Sequence, residues 1–394
     1  WRRSQHGGRD GGMMKTARIK KIVYGGLGLS HHEGRTLFIP YTAPDDLVEF
    51  TIDKEKKGCL FASPLRIVEP SPRRVEPACP IFGECGGCHL LHLSYEEELE
   101  IKKESLLESL ERIGKIQKGI DHSHPSPERF GYRNHTQFRV DDEGRAGFEM
   151  RESNRIVPFP PQGCLLLPPD MREAIAALPA ESLPRGGEVR ARQDAFGHIH
   201  FWGLDDRPGP PDLLMKGGGF DFPVPPRSFF QVNSLQNDRL VETVLSMPLR
   251  TRRRMLDLYC GVGFFTLPLS RIVGEAIGIE KDPAAVRGAN AALRLNKVRN
   301  VSYRKGPAER VIGRIGDIDL VLADPPRSGI PDKVMGRIIK LRPAEIIIVS
   351  CEPPTFSRDA RKLIEAGYIL SRLDLIDLFP GTYHVETAAL FRRS

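Results

Sequence analysis

The chain has 394 residues and a formal net charge of +7, with 40% hydrophobic and 28% charged residues. This length is sufficient for two or three domains, and this composition excludes a mostly disordered chain and a membrane protein. The excess of positive charge favours a polyanionic partner.

The N-terminal stretch, residues 1–12, is basic and has no apolar segment behind it, so we expect a disordered tail rather than a secretory signal. The sequence has no run of 18 apolar residues, and we expect no membrane partner. It has seven cysteines. An odd number without a signal peptide is typical of a reducing compartment, and the predicted location is cytoplasmic.

Residues 13–70 are predicted to form a small β-barrel, because alternating and β-branched segments are separated by turns. The positive charge is concentrated here. Residues 1–78 hold 14 Lys and Arg against 9 Asp and Glu, which makes +5 of the total +7. The predicted strands are Ala17–Tyr24, Thr36–Pro40, Leu47–Lys54 and Cys59–Val68.

Residues 71–222 are predicted to form a central mixed α/β domain, which begins with a cysteine-rich loop and continues in a charged helix, Tyr95–Ile113. Clustered cysteines with glycines between them indicate a metal site, for zinc or for an iron–sulfur cluster. A fourth ligand is required, and Cys164 is the natural candidate, with Cys59 as the alternative. The three clustered cysteines are Cys79, Cys85 and Cys88.

Residues 223–394 are predicted to form an α/β domain in which short apolar strands alternate with helices. Such strands are typical of a parallel sheet covered on both faces. The last two segments, Leu373–Phe379 and Thr387–Phe391, are predicted to form a closing hairpin. The other predicted strands are Arg254–Tyr259, Ala276–Glu280, Asn300–Arg304, Ile318–Ala323 and Glu345–Ser350.

A glycine turn between a strand and a helix, Gly261-Val262-Gly263, predicts a ligand loop in which backbone approaches the ligand closely. The dinucleotide pattern requires Gly or Ala where this chain has Thr266, which is unfavourable for NAD. Glu280 ends the next strand, 23 residues after Asp257, where a carboxylate can bind ribose hydroxyls. These features favour a nucleoside ligand over a turn that only packs helix on strand.

Three further residues are predicted to carry chemistry near the ends of strands. Asp324, followed by two prolines, ends one strand at the edge where open α/β sheets bind ligands, although a capping Asp in a proline turn is the alternative. Cys351 follows a buried strand and is a candidate nucleophile rather than a packing residue. Glu386 precedes the last strand and is a candidate base, or else a solvated glutamate.

The sequence resembles the RNA uracil-C5 methyltransferase family, which uses S-adenosylmethionine. The resemblance implies a Rossmann-like class I methyltransferase domain over residues 223–394. It also implies that Cys351 adds to C6 of a uridine to form a covalent adduct, and that Glu386 removes the C5 proton. The residues implied to contact the cofactor or flank the reacting centre are Gln231, Tyr259, Gly261, Gly263, Glu280 and Asp324. The matching segments are residues 230–233, 257–263, 324–329, 350–355 and 384–386.

Residues 13–70 are similar to the TRAM domain, an OB-like barrel that binds RNA, and the +5 charge suits that role. A subset of the family carries a [4Fe–4S] cluster on cysteines, which implies this cofactor rather than zinc on Cys79, Cys85, Cys88 and Cys164. The barrel and the cluster together resemble the 23S ribosomal RNA branch. We therefore expect RNA, not DNA, as the partner, and a monomer. Phe264 and Pro307 depart from the family pattern, so no adenine-binding residue is assigned.

Three other classes of protein compete with this interpretation. A nicotinamide oxidoreductase is disfavoured by Thr266 and by the two prolines after Asp324. A non-catalytic iron–sulfur RNA-binding protein requires Cys351 to be dispensable. A radical enzyme with a TRAM domain requires three cysteines at spacings of three and two residues, whereas the spacings here are five and two.

Overall fold

A computed structural model describes residues 15–204 and 209–394. The predicted tail, residues 1–12, lies outside the described residues. Within the described ranges, no helix is both long enough and apolar enough to cross a membrane.

The N-terminal part of the chain folds as a six-stranded sheet. Its strands are β1 (Thr16–Arg18), β2 (Lys21–Val23), β3 (Leu27–His32), β4 (Arg35–Pro40), β5 (Leu47–Lys56) and β6 (Cys59–Glu69). Their order is β1-β5-β6-β4-β3-β2, and only the β4–β6 pair is parallel. Alternate residues such as Leu37 and Ile39 are buried on one face. Two residues, Ile19 and Lys20, join the edge strands β1 and β2, and closure into a barrel stays a prediction.

A charged helix follows the cysteine-rich loop, as predicted. Helix α1 (Tyr95–Ser109) begins at Ser94, whose hydroxyl accepts a hydrogen bond from the Glu97 amide at 3.2 Å, and it continues in one π-helical turn. Its residues Leu106 and Leu110 are buried in the core of the C-terminal part of the chain. Strand β7 (His122–His124) comes next.

A five-stranded antiparallel sheet forms the middle of the chain. Its strands are β8 (His135–Val140), β9 (Ala146–Glu149), β10 (Ile156–Pro158), β11 (Glu188–Gln193) and β12 (Ile199–Trp202). Helix α2 (Pro169–Ala176) lies between β10 and β11 in the chain, and the strand order is β10-β9-β8-β11-β12. Its small core contains Phe138, Val140 and Val189.

The C-terminal part alternates strands and helices, which confirms the predicted α/β class. Its first strands, β13 (Leu213–Gly217) and β14 (Phe220–Val224), form a separate hairpin. The other elements are α3 (Asn237–Leu245), β15 (Arg254–Leu258), α4 (Thr266–Leu269), β16 (Glu275–Glu280), α5 (Pro283–Leu295), β17 (Val301–Lys305), α6 (Ala308–Val311), β18 (Leu320–Ala323), α7 (Asp332–Leu341), β19 (Glu345–Ser350), α8 (Pro353–Glu365), β20 (Tyr368–Ile376) and β21 (Glu386–Arg393).

The main sheet has eight strands in the order β17-β16-β15-β18-β19-β21-β20-β7. Strands β15 to β19 are parallel, and hydrophobic clusters cover both faces of the sheet. Strands β20 and β21 pair as the predicted antiparallel hairpin. The strand order reverses between β15 and β18, where open α/β sheets bind ligands. Strand β7, from within residues 71–222, pairs with β20, and the predicted domain boundaries stay predictions.

Candidate active site

The glycine loop leaves β15 in a tight turn. Tyr259, Gly261 and Gly263 all have positive φ angles, of 64°, 55° and 89°. A methyl group added at Gly263 would lie 2.1 Å from the Tyr303 hydroxyl, so only glycine fits there. A methyl group at Gly261 would meet nothing within 4 Å, so this glycine borders open space.

Glu280 holds this loop from the end of the neighbouring strand. Its carboxylate accepts hydrogen bonds from the Gly261 amide at 3.1 Å and the Asp282 amide at 2.8 Å. The acid predicted from its position after β16 therefore lies beside the glycine turn. Each carboxylate oxygen keeps lone pairs for a further donor, such as a ribose hydroxyl.

A narrow cleft of about 30 Å³ opens where β15 and β18 end. Four of the predicted cofactor residues line it: Gln231, Tyr259, Gly261 and Asp324. Phe229, which is 65% exposed, and Phe230, which is buried, also line it; the sequence analysis assigned no role to either.

A buried carboxyl group stabilises the loop from below. Asp257 accepts a hydrogen bond from the Thr266 hydroxyl, and burial raises the pKa of Asp257 to about 8. Thr266 therefore has a structural reason to replace the glycine or alanine of a dinucleotide loop, since its hydroxyl satisfies one oxygen of this carboxyl group. The replacement was visible in the sequence, but its partner Asp257 was not predicted.

The predicted nucleophile and base lie together. Ser350 of β19 pairs with Thr387 of β21, which puts Cys351 and Glu386 at the next positions on the two antiparallel strands. Burial raises the pKa of Cys351 to about 12, and the charges of Glu386 and Asp324 contribute to this shift. Burial also raises the pKa of Asp324 to about 7 and that of Glu386 well above its ordinary value.

Arg327 adds a positive charge to this acidic group. It lowers the pKa of Cys351 against the stronger effects of burial and the two acids. Its guanidinium donates a hydrogen bond to Nε2 of His384 at 2.9 Å. No role was predicted for Arg327 or His384. Both lie inside segments that match the family, residues 324–329 and 384–386, which was the signal available.

A buried ionic network holds the loop that leads to Glu386. Lys102 of α1 donates to Glu98 at 2.7 Å, to Asp377 at 2.8 Å and to the Phe379 carbonyl at 3.1 Å. Glu98 also accepts a hydrogen bond from the Gly381 amide at 2.7 Å. The helix thus fixes the loop from Asp377 to Gly381. The sequence pattern of the helix instead predicts that Lys102 lies at the surface.

The cysteine-rich loop packs against the other side of the same loop. The His89 and Leu90 amides both donate to the Gly381 carbonyl, at 2.9 and 3.1 Å. A cavity of about 580 Å³ adjoins the cysteine-rich loop. The four predicted metal ligands line it together: Cys79, Cys85, Cys88 and Cys164.

These four cysteines influence one another's ionisation. Burial raises the pKa of Cys85 to about 11, with further contributions from Cys164 and Cys79. In residues 15–204 and 209–394, no three potential ligand side chains lie close enough together to hold one metal ion. The alternative fourth ligand, Cys59, begins β6 in the N-terminal sheet and does not line this cavity.

Comparisons with known proteins identify relatives of the whole chain. Residues 212–394 match the family model of tRNA (uracil-5-)-methyltransferases, and residues 14–73 match the TRAM domain of tRNA (uracil(54)-C(5))-methyltransferases. A protein of Aquifex aeolicus described as an uncharacterized RNA methyltransferase is 35% identical, over 94% of this chain and 97% of the relative. The 23S rRNA (uracil(1939)-C(5))-methyltransferase RlmD of Aeromonas hydrophila is 31% identical, over 93% of each chain.

A solved structure is similar over nearly the same span. The tRNA (uracil-54, C5)-methyltransferase of Pyrococcus abyssi, in complex with S-adenosyl-L-homocysteine, superimposes with a TM-score of 0.75. It is 25% identical, and the match covers 95% of this chain and 100% of that chain.

Proposed function

The chain belongs to the family of S-adenosylmethionine-dependent RNA uracil-C5 methyltransferases, and we propose that it methylates a uridine of 23S ribosomal RNA through a covalent adduct between Cys351 and C6 of the base. The proposed catalytic mechanism is supported by the position of Cys351 opposite Glu386, at the ends of β19 and β21. The ribosomal substrate is favoured by the 31% identity to RlmD, against 25% to the transfer RNA enzyme.

The cleft at the end of β15 suits S-adenosylmethionine. Gly261 faces open space, and the Glu280 carboxylate beside it can accept hydrogen bonds from ribose hydroxyls. We assign cofactor contacts to Gln231, Tyr259 and Asp324, which line the cleft, and to the loop glycines Gly261 and Gly263. When bound, S-adenosylmethionine supplies an electrophilic methyl group.

Cys351 makes the uracil reactive. C5 of uracil is a poor nucleophile, and addition of a thiolate to C6 moves the electron pair of the C5–C6 bond towards C5 and O4. The Cys351 thiol is protonated in the free protein, so its proton must leave before addition. Asp324 is suited to accept this proton, because its pKa of about 7 leaves part of the population ionised near neutral pH.

Glu386 completes the reaction. Once C5 of the uracil has taken the methyl group, it still carries its proton, and the Glu386 carboxylate removes it. The electron pair of the C5–H bond then restores the C5–C6 double bond, and the C6–S bond breaks to return the Cys351 thiolate. The target base must leave its stack for Cys351 and the methyl donor to reach it from both faces.

The four cysteines around the second cavity suit a [4Fe–4S] cluster. They are free and partly buried, and all four line the same cavity. Four thiolates suit either zinc or an iron–sulfur cluster, and the resemblance to the iron–sulfur subset of the family favours the cluster. Cys79, Cys85, Cys88 and Cys164 would hold it behind the loop at Gly381 and stabilise that loop.

Methyl mapping tests the substrate. The protein is incubated with labelled S-adenosylmethionine and either unmodified 23S ribosomal RNA or unmodified transfer RNA, and the labelled nucleotide is identified. We expect 5-methyluridine at one or a few positions of the 23S RNA. Label confined to transfer RNA would refute the ribosomal substrate, and label on no uracil C5 would refute the activity.

A further inference from the structure

The N-terminal sheet reaches the catalytic edge of the methyltransferase domain. Tyr24 lies between β2 and β3, and its ring packs edge-on against Tyr383, with the centroids 5.2 Å apart. Gly26 has a φ of 69°, and a methyl group there would lie 2.9 Å from Cβ of His89. The turn is therefore pressed against the loop that leads to Glu386.

Tyr24 presents a buried hydroxyl beside the Glu352 carboxylate, and it makes no hydrogen bond of regular geometry with the described residues. Burial, and the nearby Glu352 carboxylate, raise the pKa of Tyr24 well above its ordinary value, and Cys351 contributes to the shift. The hydroxyl therefore keeps its proton and lies near the nucleophile.

His384 presents a second buried donor. Burial and the charge of Arg327 lower the pKa of His384 to about 3, so the ring is neutral. Because Nε2 accepts the hydrogen bond from Arg327, the ring proton is on Nδ1. Nδ1 is buried and has no partner in the part of the chain that the structure describes. Tyr383 contacts both groups, since its ring lies 4.2 Å from that of His384.

Two buried donors that make no regular hydrogen bond are unfavourable in a folded protein unless a ligand satisfies them. Uracil has two carbonyl oxygens, O2 and O4, on the edge of its ring, whereas cytosine has an amino group in place of O4. We propose that Tyr24 and His384 donate hydrogen bonds to the carbonyl oxygens of the flipped target uracil. The N-terminal domain would then read the target base as well as the RNA backbone, and would disfavour cytosine. This inference rests on the proposed function.

Tyr24→Phe tests the contact, because it removes only the hydroxyl. The matched control is Tyr41→Phe, which removes another buried hydroxyl of the N-terminal domain that contacts Phe82 rather than the catalytic edge. The RNA probe is a fragment centred on the mapped uridine, compared with the same fragment carrying an abasic site there. We expect Tyr24→Phe to lower kcat/KM about 10- to 100-fold, while Tyr41→Phe matches the wild type.

Binding to the two RNAs separates a base contact from a structural role. Tyr24→Phe is expected to weaken binding of the uridine fragment and to leave binding of the abasic fragment unchanged. Equal weakening for both fragments, or wild-type kcat/KM, would overturn the contact. His384→Ala is expected to behave like Tyr24→Phe, and His384→Gln, which restores an N–H donor, to recover activity; failure of this rescue would overturn the role of His384. A wild-type protein that methylates no uracil would instead refute the proposed function.

Discussion

Cys351 and Glu386 stand opposite each other at the ends of two antiparallel strands, because Ser350 pairs with Thr387 one position inside the sheet. Glu386 is buried, and its charge is one cause of the raised pKa of Cys351. The free protein therefore holds the Cys351 thiol protonated near neutral pH. We infer that the nucleophile is activated when RNA binds rather than beforehand.

Replacing the nucleophile should remove activity. Cys351→Ala is expected to lower methyl transfer to RNA by at least about 10³-fold, because uracil C5 is then no longer activated. Binding of S-adenosylmethionine, measured by calorimetry, should be unchanged. Cys59→Ala, in the N-terminal sheet, is the control. Appreciable methylation by Cys351→Ala would exclude the adduct.

Replacing the base should arrest the reaction later. Glu386→Gln is expected to accumulate a covalent complex with unmodified RNA, since the C5 proton stays in place and the C6–S bond cannot break. Denaturing gels would show the complex, and mass spectrometry would show a transferred methyl group within it. If this variant formed no more complex than the wild type, Glu386 would not be the base.

The charge of Arg327 should be visible in the reactivity of the free protein. Because the guanidinium lowers the pKa of Cys351, Arg327→Gln is expected to raise that pKa. Below its pKa the thiolate fraction rises with pH, so alkylation of Cys351 by iodoacetamide should be slower in the variant at each pH, with the profile displaced to higher pH. Peptide mass spectrometry measures the fraction of Cys351 that is alkylated at each pH.

Arg361→Gln on α8 is the control for this experiment, since Arg361 pairs with Glu365 at the surface. It should leave the alkylation profile unchanged. A profile displaced to lower pH in Arg327→Gln would contradict the assigned effect of the guanidinium.

The buried network around Lys102 should contribute strongly to stability. Lys102→Met leaves Asp377 buried without its cation and Glu98 paired only with Arg129. It is expected to lower the free energy of unfolding by about 3–5 kcal/mol, measured by denaturant titration. Lys103→Met removes an ion pair with Glu100 at the surface and should change the free energy of unfolding by less than about 1 kcal/mol. A similar change in the free energy of unfolding for both variants would show that the buried network contributes no more to stability than the surface pair.

The fourth cluster ligand can be assigned by iron content. Cys164→Ser is expected to lose most bound iron and acid-labile sulfide, because Cys164 lines the cavity with the other three cysteines, whereas Cys59→Ser should keep both. Stoichiometric zinc without sulfide in the wild type would show that the site is a zinc site.

The catalytic edge was predictable because its signals are local. Strands β15, β18 and β19 are short apolar runs, and β19 has the predicted bounds, Glu345–Ser350. Since parallel strands end at a shared edge, the residues that follow them had to meet, which is why Asp324 and Cys351 could be placed together from the sequence.

The contacts between distant segments were not predictable in this way. Lys102 meets Asp377 across 275 residues of sequence, and Tyr24 in the N-terminal sheet meets Tyr383 near the C-terminal end of the chain. The pattern of a charged helix predicts that its lysines are exposed to solvent, because helical periodicity gives no information about a buried acid elsewhere in the chain. Strand β3 was also missed, since none of the strands predicted within residues 13–70 covers Leu27–His32.

Trapping with 5-fluorouridine tests the central claim most directly. Fluorine replaces the C5 proton that Glu386 removes, so a methylated adduct on 23S RNA that contains 5-fluorouridine cannot resolve. With S-adenosylmethionine present, we predict a stable protein–RNA complex whose digestion yields a single modified peptide, with the nucleotide attached to Cys351. An adduct on another residue, or methyl transfer without any adduct, would contradict the account.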